Sequence, residues 1–412
     1  ELKMSVETPL AVHSAKVKEW LLVRAAMQGE PMIMESLDEL KGILASPVYT
    51  LKKWTLPDGT VKNNQSALDK RKQAYWGRPV LVPVVQRTVN ALEGMIWAGE
   101  PLVEYKGRMK EIALNVRNVS QEITQDLIAV GRCGVWADAP TQSGTLATQK
   151  PATALFIEAE RIFFWRMDGD QLTEVRFTEL YEESNGEFDI EVKQQVRRLF
   201  INKDGVYESQ VYRDCELFGS PVVPTANKKQ LTSIPFVFFG ADENSPKLGA
   251  TPMYCMSRMN LAHFRLDADD RDNLHYHGQA MTVVSTDLSA DEFLENNGGV
   301  VDMGASGLNL IDSAGSITRS QIEATGALGV KMDKDMENMI AAGAQLVKST
   351  NDTTTLGARE MEFSSSTSVM KKVARNQSEG MTELVNYLCD YMGEPHITYE
   401  MQPKFITDNI DA

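Results

Sequence analysis

Most of the side chains in this chain that could do chemistry together fall in one short run, His263-Phe264-Arg265-Leu266-Asp267-Ala268-Asp269-Asp270-Arg271-Asp272-Asn273-Leu274-His275-Tyr276-His277. It holds three of the five histidines and four carboxylates, so metal ligation is the first chemistry to weigh. On a helix, His263 and Asp267 share a face at i, i+4, as do Arg271 and His275. A calcium loop is excluded because Arg271 falls on a ligand position and the required glycine is missing. A zinc helix is excluded because no His-Glu-x-x-His occurs. The plainer reading is a face laced with ion pairs. Asp267 and Arg271 suit each other at i, i+4, and Arg265 can reach Asp269 over the same interval. A metal-dependent hydrolase using Asp267, Asp269, His275 and His277 stands as the alternative.

Other chemistries find less support. There is no Gly-Lys-Ser/Thr for a phosphate loop, and Gly304-Ala305-Ser306-Gly307 lacks the strand-to-helix context of a dinucleotide fingerprint. Those residues do not complete a nucleophile elbow either. The four cysteines, Cys133, Cys215, Cys255 and Cys389, are spaced too widely for a zinc cluster or a small disulfide framework. Reduced, partly buried thiols in a reducing compartment are expected. A basic group, Lys348, Arg359, Lys371, Lys372 and Arg375, is interleaved with Glu360, Glu362 and Glu379. It reads as a mixed surface face, or as the flank of a loop exposed to nucleic acid. The methionines, 20 in all, align at helical spacing at Met253, Met256 and Met259 and at Met332, Met336 and Met339, as adaptable packing does.

The elements that must position these residues form a module over 249–392. A first helix follows Gly249-Ala250-Thr251-Pro252 and runs to about His277. A strand-and-turn insert takes about 279–318, a second helix about 319–347, then a polar loop Ser349–Gly357 and a third helix. The second helix places Leu328, Met332, Met336, Met339 or Ile340, Gly343, and Leu346 or Val347 on one face. It also accepts Gly326, Gly329, Ala341, Ala342, Gly343 and Ala344, and each glycine costs about 1 kcal/mol relative to alanine. Small residues at that cost suit close packing against neighbours, including copies of the same helix. Such a hairpin has little purpose in a monomer and makes sense as one stave of a ring.

Upstream, residues 1–130 read mainly as helix: Val17–Ala26, closed by Gly29-Glu30-Pro31, then Pro83–Trp97. A stripe of Ile112, Val116, Val119, Ile123, Leu127 and Val130 recurs at spacings of three and four. Gly131 and Gly134 stop it, and Val135-Trp136-Ala137 opens a strand. From Ala152 to about Phe239 the period becomes two, with Val175 and Phe177, and Phe188, Ile190 and Val192, alternating with polar residues. Hairpin turns are expected at Asn185-Gly186 and Asp204-Gly205 in an antiparallel meander over 171–217. The apolar run Ile234–Phe239 follows.

The chain has 412 residues, 42% apolar and 24% charged, enough for two or three ordinary globular domains. No apolar run approaches the ~18–20 residues of a membrane span. The N-terminal residues lack the order of a signal peptide. The net charge of −15 argues against a protein that grips nucleic acid through a basic face. It does suit a surface that DNA slides past, since like charge keeps a duplex off the wall.

Several stretches, in order, carry a resemblance: Arg87-Thr88-Val89-Asn90-Ala91-Leu92-Glu93-Gly94-Met95-Ile96, Gly131 to Asp138, Glu158 to Arg166, and Ile234-Pro235-Phe236. The strongest is Pro252 through His275, centred on Asn260-Leu261-Ala262-His263-Phe264-Arg265. Together they span most of 70–392, and the chain resembles the portal proteins of tailed bacteriophages, in particular a divergent group from short-tailed and related phages. The resemblance implies an α+β portal fold assembled as a ring. Residues 1–250 would form a wing of helices and β meander, 251–278 and 319–347 the two stem helices, and 279–318 a small clip. Residues 348–362 would form a tunnel loop, and 363–412 a return helix with the start of a truncated crown. The sequence departs from the family in that little of it follows residue 400.

By the same resemblance the protein would be a twelve-subunit ring at one capsid vertex. Double-stranded DNA would pass through it in packaging and ejection. Terminase and the tail adaptor would dock on it, and the major capsid protein and scaffold would surround it. Lys348, Asn351, Asp352, Thr353, Thr354 and Arg359 would face the DNA. Arg265, Asp267, Asp269 and Arg271 would pair the stem, and Asp287, Glu292, Glu295 and Asp302 would serve docking at the clip. It implies a virion component, found in the host cytoplasm during assembly, with no catalytic residue, cofactor, metal or membrane. Another head–tail connector part is the further alternative, although adaptors are usually much shorter.

Overall fold

The apolar stripes locate the helices well. A computed structural model describes residues 5–35, 54–55, 61–62, 74–140, 151–184, 186, 189–227, 229–277, 283–285, 287, 292, 309–311, 326–342 and 356–403. Its helices are α1 (Ala11–Gln28), α2 (Glu30–Glu35), α3 (Val84–Ile96), α4 (Ala113–Ala129), α5 (Tyr254–His277), α6 (Ala327–Ala341) and α7 (Leu356–Met392). None of the described helices is long and apolar enough to cross a membrane. The stripe read at 112–130 becomes α4, whose Val116, Val119, Ile123 and Leu127 are all buried. Its end is set by Gly131, at φ +84, where the amides of Val130 and Gly131 both donate to the Asp126 carbonyl at 2.8 Å.

The chain divides into two units. The first comprises Glu1–Gln28, Pro83–Arg258 and Ala342–Ala412; the second comprises Gly29–Val82 and Met259–Ala341. Residues 29–82, part of the expected wing of 1–250, fall in the same unit as the 259–341 stretch. The reason is local: the backbone of 80–82 donates to Glu30 and Asp267 and accepts from Asn260, all in the second unit.

In the second unit β1 (Trp54–Thr55) pairs with β2 (Val61–Lys62); the first unit holds a short pair, β10 (Thr225–Ala226) with β11 (Lys229–Gln230), and two larger antiparallel sheets. Strands β3 (Arg132–Asp138), β4 (Thr153–Glu158) and β12 (Phe236–Gly240) form one, in the order β12-β3-β4. Strands β5 (Ile162–Asp168), β6 (Gln171–Ser184), β7 (Ile190–Ile201), β8 (Tyr207–Arg213) and β9 (Glu216–Val222) form the other as a meander. The meander is longer than the expected 171–217 at both ends. Ile162-Phe163-Phe164 is buried without alternation, so period two could not mark it. The β8–β9 turn uses Asp214 and Cys215 at φ 49 and 65, a hairpin turn built without the usual glycine. At 202–206 the expected turn is present: Asn202 Oδ1 accepts from the amides of Asp204 and Val206 at 2.9 and 3.0 Å. Trp136, Val175, Phe177, Leu199, Tyr207, Phe236 and their neighbours make a buried core.

Helix α7 packs on α4, β12 and β3 and is pinned there by Gln377. Gln377 Oε1 accepts from Thr124 Oγ1 at 2.8 Å, and its Nε2 donates to the Ser120 carbonyl at 2.6 Å. Helix α7 begins at Leu356, so residues 356–362 of the expected tunnel loop are helical. Ala358, Arg359, Glu360 and Met361 are strong helix formers and extend it in that direction. In the second unit, the insert contributes a parallel pair, β13 (Val283–Ser285) with β14 (Asn309–Ile311). The described part of the expected second stem helix is α6, preceded by Gly326 at φ +65. Residues 319–325 and 343–347 lie outside the described residues.

Candidate functional site

Helix α5 is 24 residues long, about 36 Å at helical rise. From Met256 to Ala268 it buries two adjacent residues per turn: Met256 and Ser257, Asn260 and Leu261, His263 and Phe264, Asp267 and Ala268. That stripe mixes apolar with polar groups, which is why the helix has little amphipathic contrast in its sequence. Beyond Ala268 burial ends, and Leu274 is 59% exposed.

Within the second unit, the acidic run pins residues 75–82 along the helix. Asp267 Oδ2 accepts from the Val80 amide and from Arg271 Nε, each at 2.7 Å. Asp269 Oδ1 accepts from Tyr75 Oη at 2.6 Å, and Asp272 pairs with Arg78. Trp76 stacks on Phe264 with ring centroids 6.2 Å apart, and Asn260 Nδ2 donates to the Val82 carbonyl at 2.9 Å. The Asp267–Arg271 pair therefore forms at i, i+4. The Arg265–Asp269 pair does not form; Asp269 accepts from the Tyr75 hydroxyl. The carboxylates needed for the hydrolase alternative are engaged by these donors, and no group of three His, Cys, Asp or Glu among the described residues could hold a metal ion. His275 is exposed; the His277 side chain lies outside the described residues. Asn260 Oδ1 and His263 Nδ1 are buried with no hydrogen-bond partner among the described residues.

On α6, the expected face is found half-buried or buried at Leu328, Met332, Met336, Met339 and Ile340. It also carries Asp335, 5% exposed, whose carboxylate is held by Lys331 one turn earlier. Of the residues assigned to a DNA-facing loop, Lys348, Asn351, Asp352, Thr353 and Thr354 lie outside the described residues. Arg359 falls on the backbone of α7, and its side chain is not among those described. At the insert, Asp287 and Glu292 are exposed, and Glu295 and Asp302 lie outside the described residues.

Two polar clusters in the first unit carry no sequence motif. Arg24 of α1 makes a two-pronged bond to Asp126 of α4 at 2.5 and 2.6 Å and reaches Glu160 at 2.7 Å. Burial opposes the Arg24 charge, but the two carboxylates raise its pKa and keep it ionised. A cleft of about 330 Å3 beside it is lined by Arg24, Gln86, Glu122, Gln125, Asp126 and Glu158. Burial, and then the charge of Glu158, pushes Glu122 upward. Arg132 of β3 is the second. Its guanidinium lies 4.4 Å from the Trp165 ring and 4.7 Å from that of Phe238, and Nη1 donates to the Pro246 carbonyl at 2.6 Å. Burial lowers its pKa to about 10. The readable signal for the first cluster was a charged residue at an apolar stripe position: Arg24 among Leu22, Val23, Ala25 and Ala26, and Asp126 beside Leu127.

A family model described as a domain of unknown function (DUF4055) matches residues 252–392, from the approach to α5 to the last residue of α7. A search of curated proteins finds no match.

Proposed function

We propose that this chain is the subunit of a phage portal: a dodecameric ring at one capsid vertex, the conduit for double-stranded DNA in packaging and ejection, and the docking site for terminase and tail adaptor. The observation that carries the reading is the element order over 252–392, a long helix, a small strand-bearing insert, a second helix and a 37-residue third helix. That order is the one the resemblance implies, and the family-model match spans the same block, which supports treating it as one inherited module. In this reading α5 and α6 line the channel, the insert docks partners, and 348–355 stands nearest the DNA. Exposed Leu274 on α5 and Val330 on α6, at 59% and 70%, leave apolar surface for neighbouring copies. An acidic chain suits a conduit that must not hold the duplex it passes. The ATP hydrolysis that drives packaging belongs, in this reading, to the terminase.

Native mass spectrometry of the full chain tests it. At 45.9 kDa per chain, a ring of twelve has a mass of roughly 550 kDa. A stable monomer or dimer at micromolar concentration would sink the proposal.

A further inference from the structure

The β6–β7 hairpin outruns its sheet. Strand β5 pairs with β6 only as far as Phe177, and β8 pairs with β7 only from Val196. Strands β6 and β7 stay paired out to Ser184 and Ile190. Residues 178–184 and 190–195 therefore form a two-stranded arm with no neighbouring strand on either edge among the described residues. Such a ribbon is marginal on its own in water.

Directly opposed residues share a face, and the two faces of the arm differ. One carries Leu180 with Gln194, Glu182 with Val192, and Ser184 with Ile190. Leu180, Val192 and Ile190 are 51%, 58% and 62% exposed, and the exposed Glu182 among them has no partner among the described residues. The other face is already satisfied. Lys193 holds Glu183 at 2.5 Å and Glu191 at 3.2 Å, and the Arg213 guanidinium stacks on Tyr181 at 3.7 Å. One face is finished and the other lacks a cover.

A second surface of the same unit has the opposite charge. Lys110, Leu114 and Arg117 recur at helical spacing on the exposed side of Gly107–Ile112 and α4. Leu114 is 69% exposed, and Lys110 has no ion-pair partner among the described residues. Arg117 reaches Glu100 at 2.8 Å, two residues before Leu102, which is 64% exposed. Residues 100–117 hold four basic and three acidic residues, whereas 178–195 hold six acidic and one basic. Among the described residues, no hydrogen bond or ion pair joins the two surfaces within the chain.

Two different apolar patches of opposite charge on one chain are what a head-to-tail contact requires. We propose that the arm of one copy seats its Leu180–Glu182–Val192–Ile190 face on the Lys110–Leu114–Arg117 surface of a second copy, with Glu182 against Lys110. The contact deepens the ring reading and rests on it for closure, although the contact itself needs only two copies.

The test uses the full chain, mixed in equal parts as unlabelled and 15N-labelled protein, with a zero-length carbodiimide. The Glu182 carboxylate and the Lys110 amine condense to an amide with loss of water, which the carbodiimide takes up. Peptides joining Lys110 to Glu182 with mixed isotopes are expected. Glu182→Lys and Lys110→Glu are each expected to raise the concentration at half-assembly about tenfold or more, with circular dichroism unchanged. The charge-swapped double variant is expected to recover assembly to within about threefold of the parent. A 550-kDa ring lacking that cross-link, with both single variants assembling like the parent, would overturn the contact and leave the ring standing. A cross-linked closed dimer would keep the contact and overturn the ring. A monomer with no cross-link at any concentration would overturn both.

Discussion

At the scale of single residues, the buried charges decide more than the charged run that dominates the sequence. Arg24, Asp126 and Glu160 are held together away from solvent. Removing one partner leaves a buried charge uncompensated, which costs more than the pair contributes. Arg24→Ala is expected to lose about 3–5 kcal/mol in urea unfolding, and replacing the pair together, Arg24→Met with Asp126→Leu, to recover most of it. Equal losses in the single and double variants would refute this account. Asp138 makes a pH-dependent case. Burial pushes it from 3.8 up to about 6, with Arg197 pulling back. A carboxyl raised in the folded state contributes stability that is complete below its unfolded value and is lost as pH rises through about 6. Asp138→Asn, uncharged throughout, is expected to be more stable than the parent at pH 7–8 by about 1–2 kcal/mol, with the gap closing between pH 6 and 4. Thermal melts across that range read it, and a gap independent of pH would remove Asp138 as the cause.

At the scale of elements, close approach rather than propensity governs α7. A Cβ placed on Gly380 would meet the Phe239 ring at 2.5 Å, where α7 packs on β12. In an open helix, glycine to alanine gains up to about 1 kcal/mol, but overpacking a fixed ring costs about 1–3 kcal/mol. Overpacking wins, so Gly380→Ala is expected to lower the melting temperature. Gly94→Ala in α3, with nothing within 4 Å of its Cβ, is the matched control and should raise it. Melting temperatures moving the same way would show that helix propensity, not packing, sets both. The element scale also shows where legibility ended. Period 3.6 marked α4 and period two marked β6, because each buries one face, Val175 and Phe177 in β6; the alternating Ile190 and Val192 of β7 are instead exposed. Strand β5 escaped notice because its first three residues are all buried, and the β8–β9 turn because Asp214 and Cys215 carry no turn signature.

For the whole molecule, the proposed ring rests on the same asymmetry that shapes the parts: an arm unfinished on one face, and a basic apolar surface elsewhere. A repeated head-to-tail contact closes into a ring only when its rotation divides the circle, so the mass of the assembly is the quantity to measure. In the proposed ring, a net charge of −15 per chain would be multiplied by the number of copies, and the contacts between copies would have to outweigh that repulsion. The sequence alone determined the helices with one apolar stripe, the alternating strands, the Asp267–Arg271 pairing distance and the order of elements over 252–392. All of these depend on residues a few positions apart. Tertiary structure alone decided that 29–82 belongs with 259–341, that Tyr75 rather than Arg265 takes Asp269, and that Arg24 finds Asp126. Those choices join residues 50 to nearly 200 positions apart, where only the folded packing decides which donor reaches which carboxylate.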